Sequence, residues 1–229
     1  MAPQSKLIKF TAGFVGGTIA EVAIAATGWS WYTKDTRFIP FTTSSPDFNS
    51  PIARKLNPNS NPPICIDHAV RTVPLSKLKT TDQESLTREF CRGIWSGPGF
   101  AVQRRYLTHK YRALEGREDH LWEKQELASS DYEVGTKIAD HFEVLERTPE
   151  KVTVRCGDSP LNKDPRPADG LFSIEVSKDQ DTATFHLKSI FINTAPEGAN
   201  AAPLPFNFQF AHREYTKLWM ETSVRKLLK

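Results

Sequence analysis

Cysteine is scarce in this chain, and Cys65, Cys91 and Cys156 lie far apart. No CxxC pair and no Cys/His spacing of the kind that holds zinc occurs. The odd count and the absence of an Asn-x-Ser/Thr sequon both weigh against a secreted, disulfide-stapled protein. The three thiols are expected to be reduced and buried. A surplus of charge is missing too. Thirty Lys and Arg stand against 27 Asp and Glu, a net charge of +3, and the basic residues form no long run. That excludes a nucleic-acid footprint. There is no P-loop, HExxH or GxSxG. Gly13, Gly16 and Gly17 follow no strand and precede no ribose-binding acid, so they are not a dinucleotide fingerprint. These absences argue against a nucleotide-dependent enzyme, a common metalloprotease and a standard serine hydrolase. No cofactor or metal is expected, and no internal repeat is visible.

Aromatic side chains are what the chain has in quantity, with five Trp and fourteen Phe. They supply contact area in cores and in small-molecule pockets. The last stretch, 208–229, carries an unusually wide apolar arc at helical spacing. Phe208, Ala211, Tyr215, Leu218, Trp219 and Thr222 share one side, extended by Met220 and Leu227. His212 and Thr216 lie inside that arc. Glu214, Lys217, Glu221 and Arg225 read as a narrow solvated stripe. A helix that buries most of its circumference needs a concave surface to lie in.

Residues 1–33 form an apolar N-terminal helix or membrane anchor in this reading. From Phe10 to Tyr32 only Glu21 is charged, with Lys6 and Lys9 before the run and Trp29, Trp31 and Tyr32 closing it. Three readings stand side by side: a membrane anchor, a signal peptide cut after Ala25, and a helix packed on the domain or at a homodimer interface. The first implies membrane contact through residues 7–32 and a membrane-associated intracellular protein. Glu21 weighs against a spanning helix, because a carboxylate near the bilayer centre is costly. Residues 34–63 are a Pro-rich strap or linker that Phe38, Ile39, Phe41 and Phe48 would pin to the domain.

The domain proper spans 64–229. Ile64 to Thr72 alternates as a strand with Ile64, Ile66, His68 and Val70 on one face. The capping box at Thr81 to Glu84 starts a helix running to about Ile94, and the turn from Trp95 to Gly99 ends it. A second helix follows from about Phe100 to Leu114. Strands are then expected over Lys137 to Arg147, Lys151 to Cys156, Leu171 to Val176 and Thr182 to Asn193. Thr148 to Glu150 is the first hairpin turn. Sequential hairpins imply an antiparallel sheet. The fold class is α+β, with a curved antiparallel sheet gripping the long C-terminal helix, the helix-grip arrangement.

The stretches Tyr132 to Thr136, His141 to Val144, Val154 to Pro160, Asp169 to Phe172 and Arg213 to Glu221 resemble uncharacterised fungal proteins related to the polyketide-cyclase/START-like superfamily. The resemblance covers about residues 34–229 and includes a similar apolar N-terminus. It implies a helix-grip fold with a hydrophobic pocket. It also implies a place in natural-product biosynthesis, where cyclisation of the Diels–Alder kind, as in sordarin-type norbornene formation, is one associated function. It carries no residue roles.

Candidates for chemistry therefore come from the residues alone. His212 shares the inward arc of the last helix with Tyr215 and Trp219, and is expected to act as hydrogen-bond donor or general base, or else to be a satisfied core histidine. Tyr106 shares a face with Val102 and is the second candidate. Asp140 and His141 are strand neighbours and point to opposite sides. The apolar mates Phe142 and Val144 favour Asp140 as the one facing a pocket, unless it pairs with a base such as Arg155. Trp95 is expected as a lid or a core anchor beside the Gly-Pro-Gly turn. The expected function is cofactor-independent cyclisation of a small hydrophobic polyketide or terpenoid, of the pericyclic or aldol type, with a non-catalytic lipid or metabolite carrier as the alternative. Holding a flexible chain in its reactive fold needs little machinery.

Overall fold

A computed structural model describes residues 24–229. Residues 36–229 form one compact unit, and the segment up to Asp35 is a second. Of that segment, residues 24–32 are helical (α1) and the Thr33 hydroxyl donates to the Trp29 carbonyl at 2.9 Å. The apolar run before Ile24 lies outside the described residues. Among the described residues no helix is long and apolar enough to cross a membrane.

The main unit is α+β. Its seven strands are β1 (Arg37–Phe38), β2 (Pro63–Pro74), β3 (Lys137–Ile138), β4 (Phe142–Arg147), β5 (Lys151–Cys156), β6 (Asp169–Lys178) and β7 (Thr182–Ile192). They form one antiparallel sheet in the order β1-β2-β7-β6-β5-β4-β3. The hairpins β4-β5, β5-β6 and β6-β7 are consecutive in sequence. β2 reaches its place beside β7 from the far end of the chain. The helices are α2 (Pro51–Leu56), α3 (Gln83–Ser96), α4 (Pro98–Tyr111), α5 (Lys124–Ser129) and α6 (Phe206–Leu227).

One face of the sheet carries the core. Val144, Val154, Phe172, Ser189 and Asp67 are directly opposite one another from β4 across to β2, so their side chains share that face. Helix α3 covers part of it through Phe90, whose ring meets Phe185 at 5.0 Å. Helix α6 crosses α3 where Gly93 meets Ser223: a Cβ on Gly93 would stand 3.0 Å from the Ser223 Cα, so glycine sets the closeness of the two helices. Trp95 and Phe100 end one helix and begin the next, 5.2 Å apart and both fully buried.

The opposite face of the sheet is polar and partly covered by the strap. Phe41 packs edge-on against His68 at 5.5 Å, Ile39 donates its N–H to the His68 carbonyl, and Lys188 reaches Asp47 at 3.3 Å. The face of β2 holding Ile64, Ile66, His68 and Val70 is therefore the strap side, and the alternate residues Cys65, Asp67, Ala69, Arg71 and Val73 turn toward the helices. An apolar run on a strand identifies a covered face, not which cover lies over it.

Three local expectations are corrected. The N-cap of α3 is Asp82, whose carboxylate accepts from the Ser85 N–H at 2.9 Å, and the helix runs through Trp95 to Ser96. The strand expected over 137–147 is two strands. Ala139 and Asp140 both sit in the left-handed region (φ +50° and +51°), and the His141 N–H donates back to Ile138 at 3.1 Å. That turn resets the alternation. Third, Glu221 is not on a solvated stripe. It is fully buried, 2.7 Å from Arg71, and accepts from the Thr36 hydroxyl at 2.6 Å.

Candidate functional site

A cavity of about 180 Å³ opens between the first half of α6 and the core face of the sheet. Phe142, Phe172, Phe191, Phe208, Tyr215 and Trp219 give it an aromatic wall. Gln103, His141, Cys156, Ser189, His212 and Thr216 supply its polar and thiol atoms. The wall is interlocked. Trp219 stands edge-on to Phe172 at 5.4 Å and to Tyr215 at 5.1 Å. The floor has room because Gly170 lies between Cys156 and Phe191 in the pairing of β5, β6 and β7. A Cβ there would come 2.9 Å from the Ile190 carbonyl oxygen and 3.1 Å from the Cys156 sulfur.

His212 is the centre of the polar lining. Its Nδ1–H donates to Oδ2 of Asp67 at 2.8 Å. The Asp67 side chain is 1% exposed. A buried carboxylate on Nδ1 fixes the tautomer, so the lone pair of the neutral ring is on Nε2. The imidazole is held between aromatic rings, edge-on to Phe191 at 4.9 Å and stacked with Phe208 at 6.3 Å. Among the described residues Nε2 has no protein hydrogen-bond partner, and neither does Asp67 Oδ1. The arrangement is that of an oriented general base.

The other ionisable groups of the cavity are held neutral. Burial pushes the Tyr215 hydroxyl up to about 12, partly offset by the Trp219 indole, and this hydroxyl donates to Gln103 at 3.1 Å. Burial also pushes the Cys156 thiol up to about 12, with the Asp169 carboxylate adding to it. Cys156 is thus a poor nucleophile. Burial lowers His141 below the usual histidine range, aided by the Arg166 guanidinium. All three cysteines are free and buried, as expected from their scarcity.

Of the residues singled out in the sequence, the structure brings His212, Phe142, Tyr215 and Trp219 together on this cavity. Four others lie elsewhere. Tyr106 is 58% exposed on α4, and its hydroxyl accepts from Lys110, because Leu107 is the residue that this turn buries. Trp95 and Val144 are fully buried core residues, Trp95 packing on Phe142 at 4.6 Å. Asp140 lines a separate polar cavity with Arg117, Asp158 and Ser159. It is held there by Arg117 at 3.2 Å and the Ser159 hydroxyl at 2.6 Å, while Arg155 pairs with Asp169. The left-handed turn puts His141, not Asp140, on the aromatic cavity. Among the described residues no cluster of His, Cys, Asp and Glu could hold a metal ion.

Asp67 and Ser189 escaped the sequence reading. Asp67 is the one acidic residue inside the expected first strand, and its place on the face opposite Ile64, Ile66, His68 and Val70 is the signal the sequence carried. Ser189 had none beyond its place between Leu187 and Phe191.

No family model, curated protein or solved structure matches the chain.

Proposed function

We propose that this protein is a cofactor-independent cyclase, acting on a compact hydrophobic polyketide or terpenoid intermediate of fungal secondary metabolism. The observation that carries the reading is the pairing of buried Asp67 with half-buried His212 at the edge of an aromatic cavity. Support for a START-like helix-grip arrangement comes from the strand order and from the seating of α6 beside β2 and β7. The pair favours the aldol form of the reaction over a purely pericyclic one. His212 Nε2 takes a proton from a carbon next to a carbonyl, and the C–H electrons become an enolate. The enolate carbon attacks a second carbonyl of the same molecule, and the resulting alkoxide takes the proton back from Nε2. The aromatic wall holds the chain folded, which alone removes several kcal/mol of barrier. A positioned base contributes about 10²–10⁴-fold.

The cavity limits the reacting portion. An engineered cavity of about 150 Å³ holds benzene, so about 180 Å³ takes one ring with substituents. A longer chain must extend past Phe208, which is 46% exposed at the rim.

A carrier is the second reading. It is favoured by the mainly aromatic lining and by the raised Tyr215 and Cys156, neither of which is an activated nucleophile. Deleting the gene and profiling metabolites, then incubating the accumulated compound with purified protein, separates the two. A cyclase converts the compound without added cofactor, and His212→Phe stops conversion while the protein stays folded. Return of the compound unchanged by the wild type sinks the cyclase reading.

A further inference from the structure

Ser189 is 1% exposed and its Oγ has no hydrogen-bond partner among the described residues. It lines the aromatic cavity, and it stands directly opposite Asp67 in the β2–β7 pairing. A buried hydroxyl without a partner is destabilising, so natural cores rarely keep one idle. His212 supplies a further unpaired atom on the cavity, its Nε2. With Nδ1–H committed to Asp67, Nε2 of the neutral ring accepts. The two groups together ask for a ligand atom that donates to Nε2 and accepts from Ser189. A carbonyl oxygen cannot donate, and an ammonium cannot accept. A hydroxyl does both. An anionic oxygen is disfavoured, because the carboxylate of Asp67 is the cross-strand neighbour of Ser189.

We infer that Ser189 and His212 form a hydroxyl-binding subsite, which makes the ligand a compact, neutral alcohol, phenol or enol. This rests on the reading of the cavity as the ligand site, and deepens it by naming the group recognised. The enol of a 1,3-dicarbonyl compound has this hydroxyl together with the carbonyl that aldol chemistry requires. Its O–H is oriented by the same nitrogen that would move a proton.

The test is binding, with no turnover needed. The probes are 4-fluorophenol and 4-fluoroanisole, followed by fluorine NMR titration against the full chain. They share a ring and differ in the one donor. The wild type is expected to bind the phenol about tenfold more tightly, the worth of one to two net hydrogen bonds. In His212→Phe the preference is expected to drop at least about threefold, since the acceptor of that one donor is gone, and in Ser189→Ala the affinity for the phenol itself is expected to drop by about as much. Near-UV circular dichroism checks that the variants keep their packing. Equal affinity of the wild type for both probes overturns the subsite, and so does an unchanged phenol affinity in folded Ser189→Ala. The wild-type comparison needs no variant, so a variant that fails to fold leaves the proposal open to refutation. If neither probe binds, the cavity itself is not a ligand site and the parent reading falls with it. Equal binding removes only the hydroxyl subsite.

Discussion

Asp67 and His212 are 145 positions apart in the chain and 2.8 Å apart in the fold. One comes from the second strand of the sheet and the other from the first half of the last helix. Their meeting places on a largely aromatic cavity an imidazole oriented by a buried carboxylate.

Replacing Asp67 by Asn keeps the shape and removes the charge that fixes the His212 tautomer. Turnover of the cyclisation substrate is expected to fall by about 10²–10⁴-fold, with binding of a neutral ligand little changed. The split between kcat and KM in steady-state kinetics checks this. Equal loss in both would mean that the pair serves packing instead.

Trp95 and Tyr106 are expected to separate cleanly by stability. Trp95 is fully buried among Phe100, Phe142, Phe172 and Trp219. Trp95→Ala should cost about 3–5 kcal/mol through lost burial and the cavity left behind. Tyr106, exposed on α4, should tolerate Ala within about 0.5 kcal/mol. Urea denaturation of the two variants is the measurement.

Removing the carboxylate of Asp169 should be more damaging than removing any surface acid. It receives both Nε and Nη2 of Arg155, at 2.9 and 2.7 Å, lies 3.5 Å from Arg166 Nε, and accepts from the Thr194 hydroxyl. Asp169→Ala leaves two guanidinium groups buried without it, for an expected loss of about 3–5 kcal/mol. Thermal and chemical denaturation both report it.

Acid should weaken the sheet on its strap side from about pH 6.5 downward. Burial, with help from His186 and Lys188, holds His68 at about 4, against 6.5 for a free imidazole. His68 Nε2 lies 2.9 Å from His186 Nδ1, and the groups facing this pair are Lys188, Glu175 and Asp47. Between pH 6.5 and about 4 the unfolded chain binds a proton that the folded His68 refuses, so stability falls as pH falls through this window and is full above it. Asp47 is lowered from 3.8 and loses its contribution only at more acid pH, and the raised Lys188 stays charged throughout. His68→Gln should flatten the slope of melting temperature against pH in that window without abolishing it, because His120, His141 and His186 are lowered too. An unchanged slope would refute the assignment.

Thiol chemistry gives a simple check of the core. Burial raises Cys65 to about 11 and Cys156 to about 12, and raises Cys91 further. Alkylation of the native protein at mildly alkaline pH should be very slow at all three free cysteines, and complete once guanidinium unfolds the chain. Rapid native labelling of any one would contradict its placement.

Much of the frame was legible from local pattern. Hairpins one after another give an antiparallel sheet, and the Thr148–Lys151 turn closes as read, with Thr148 N–H donating to the Lys151 carbonyl at 2.8 Å. The spacing of His212, Tyr215 and Trp219 is a property of any helix, and it put them on one cavity. Local pattern failed where a neighbour in space overrode it. Glu221 reads as a solvated charge at helical spacing until Arg71, 150 positions away, is placed beside it. Asp140 reads as one more alternating strand residue until two left-handed residues turn the chain.

The sequence by itself determined the helix with its wide apolar arc, the antiparallel meander, and the burial of three scattered thiols, because each follows from spacing and side-chain chemistry within a short stretch. Only the tertiary structure decided what His212 touches. Its partner Asp67 and its neighbour Ser189 belong to β2 and β7, strands brought together by a pairing that closes most of the chain. Which face of β2 meets the helix, and so which of its residues reaches an imidazole, is set by that long-range register and by the strap over the other face.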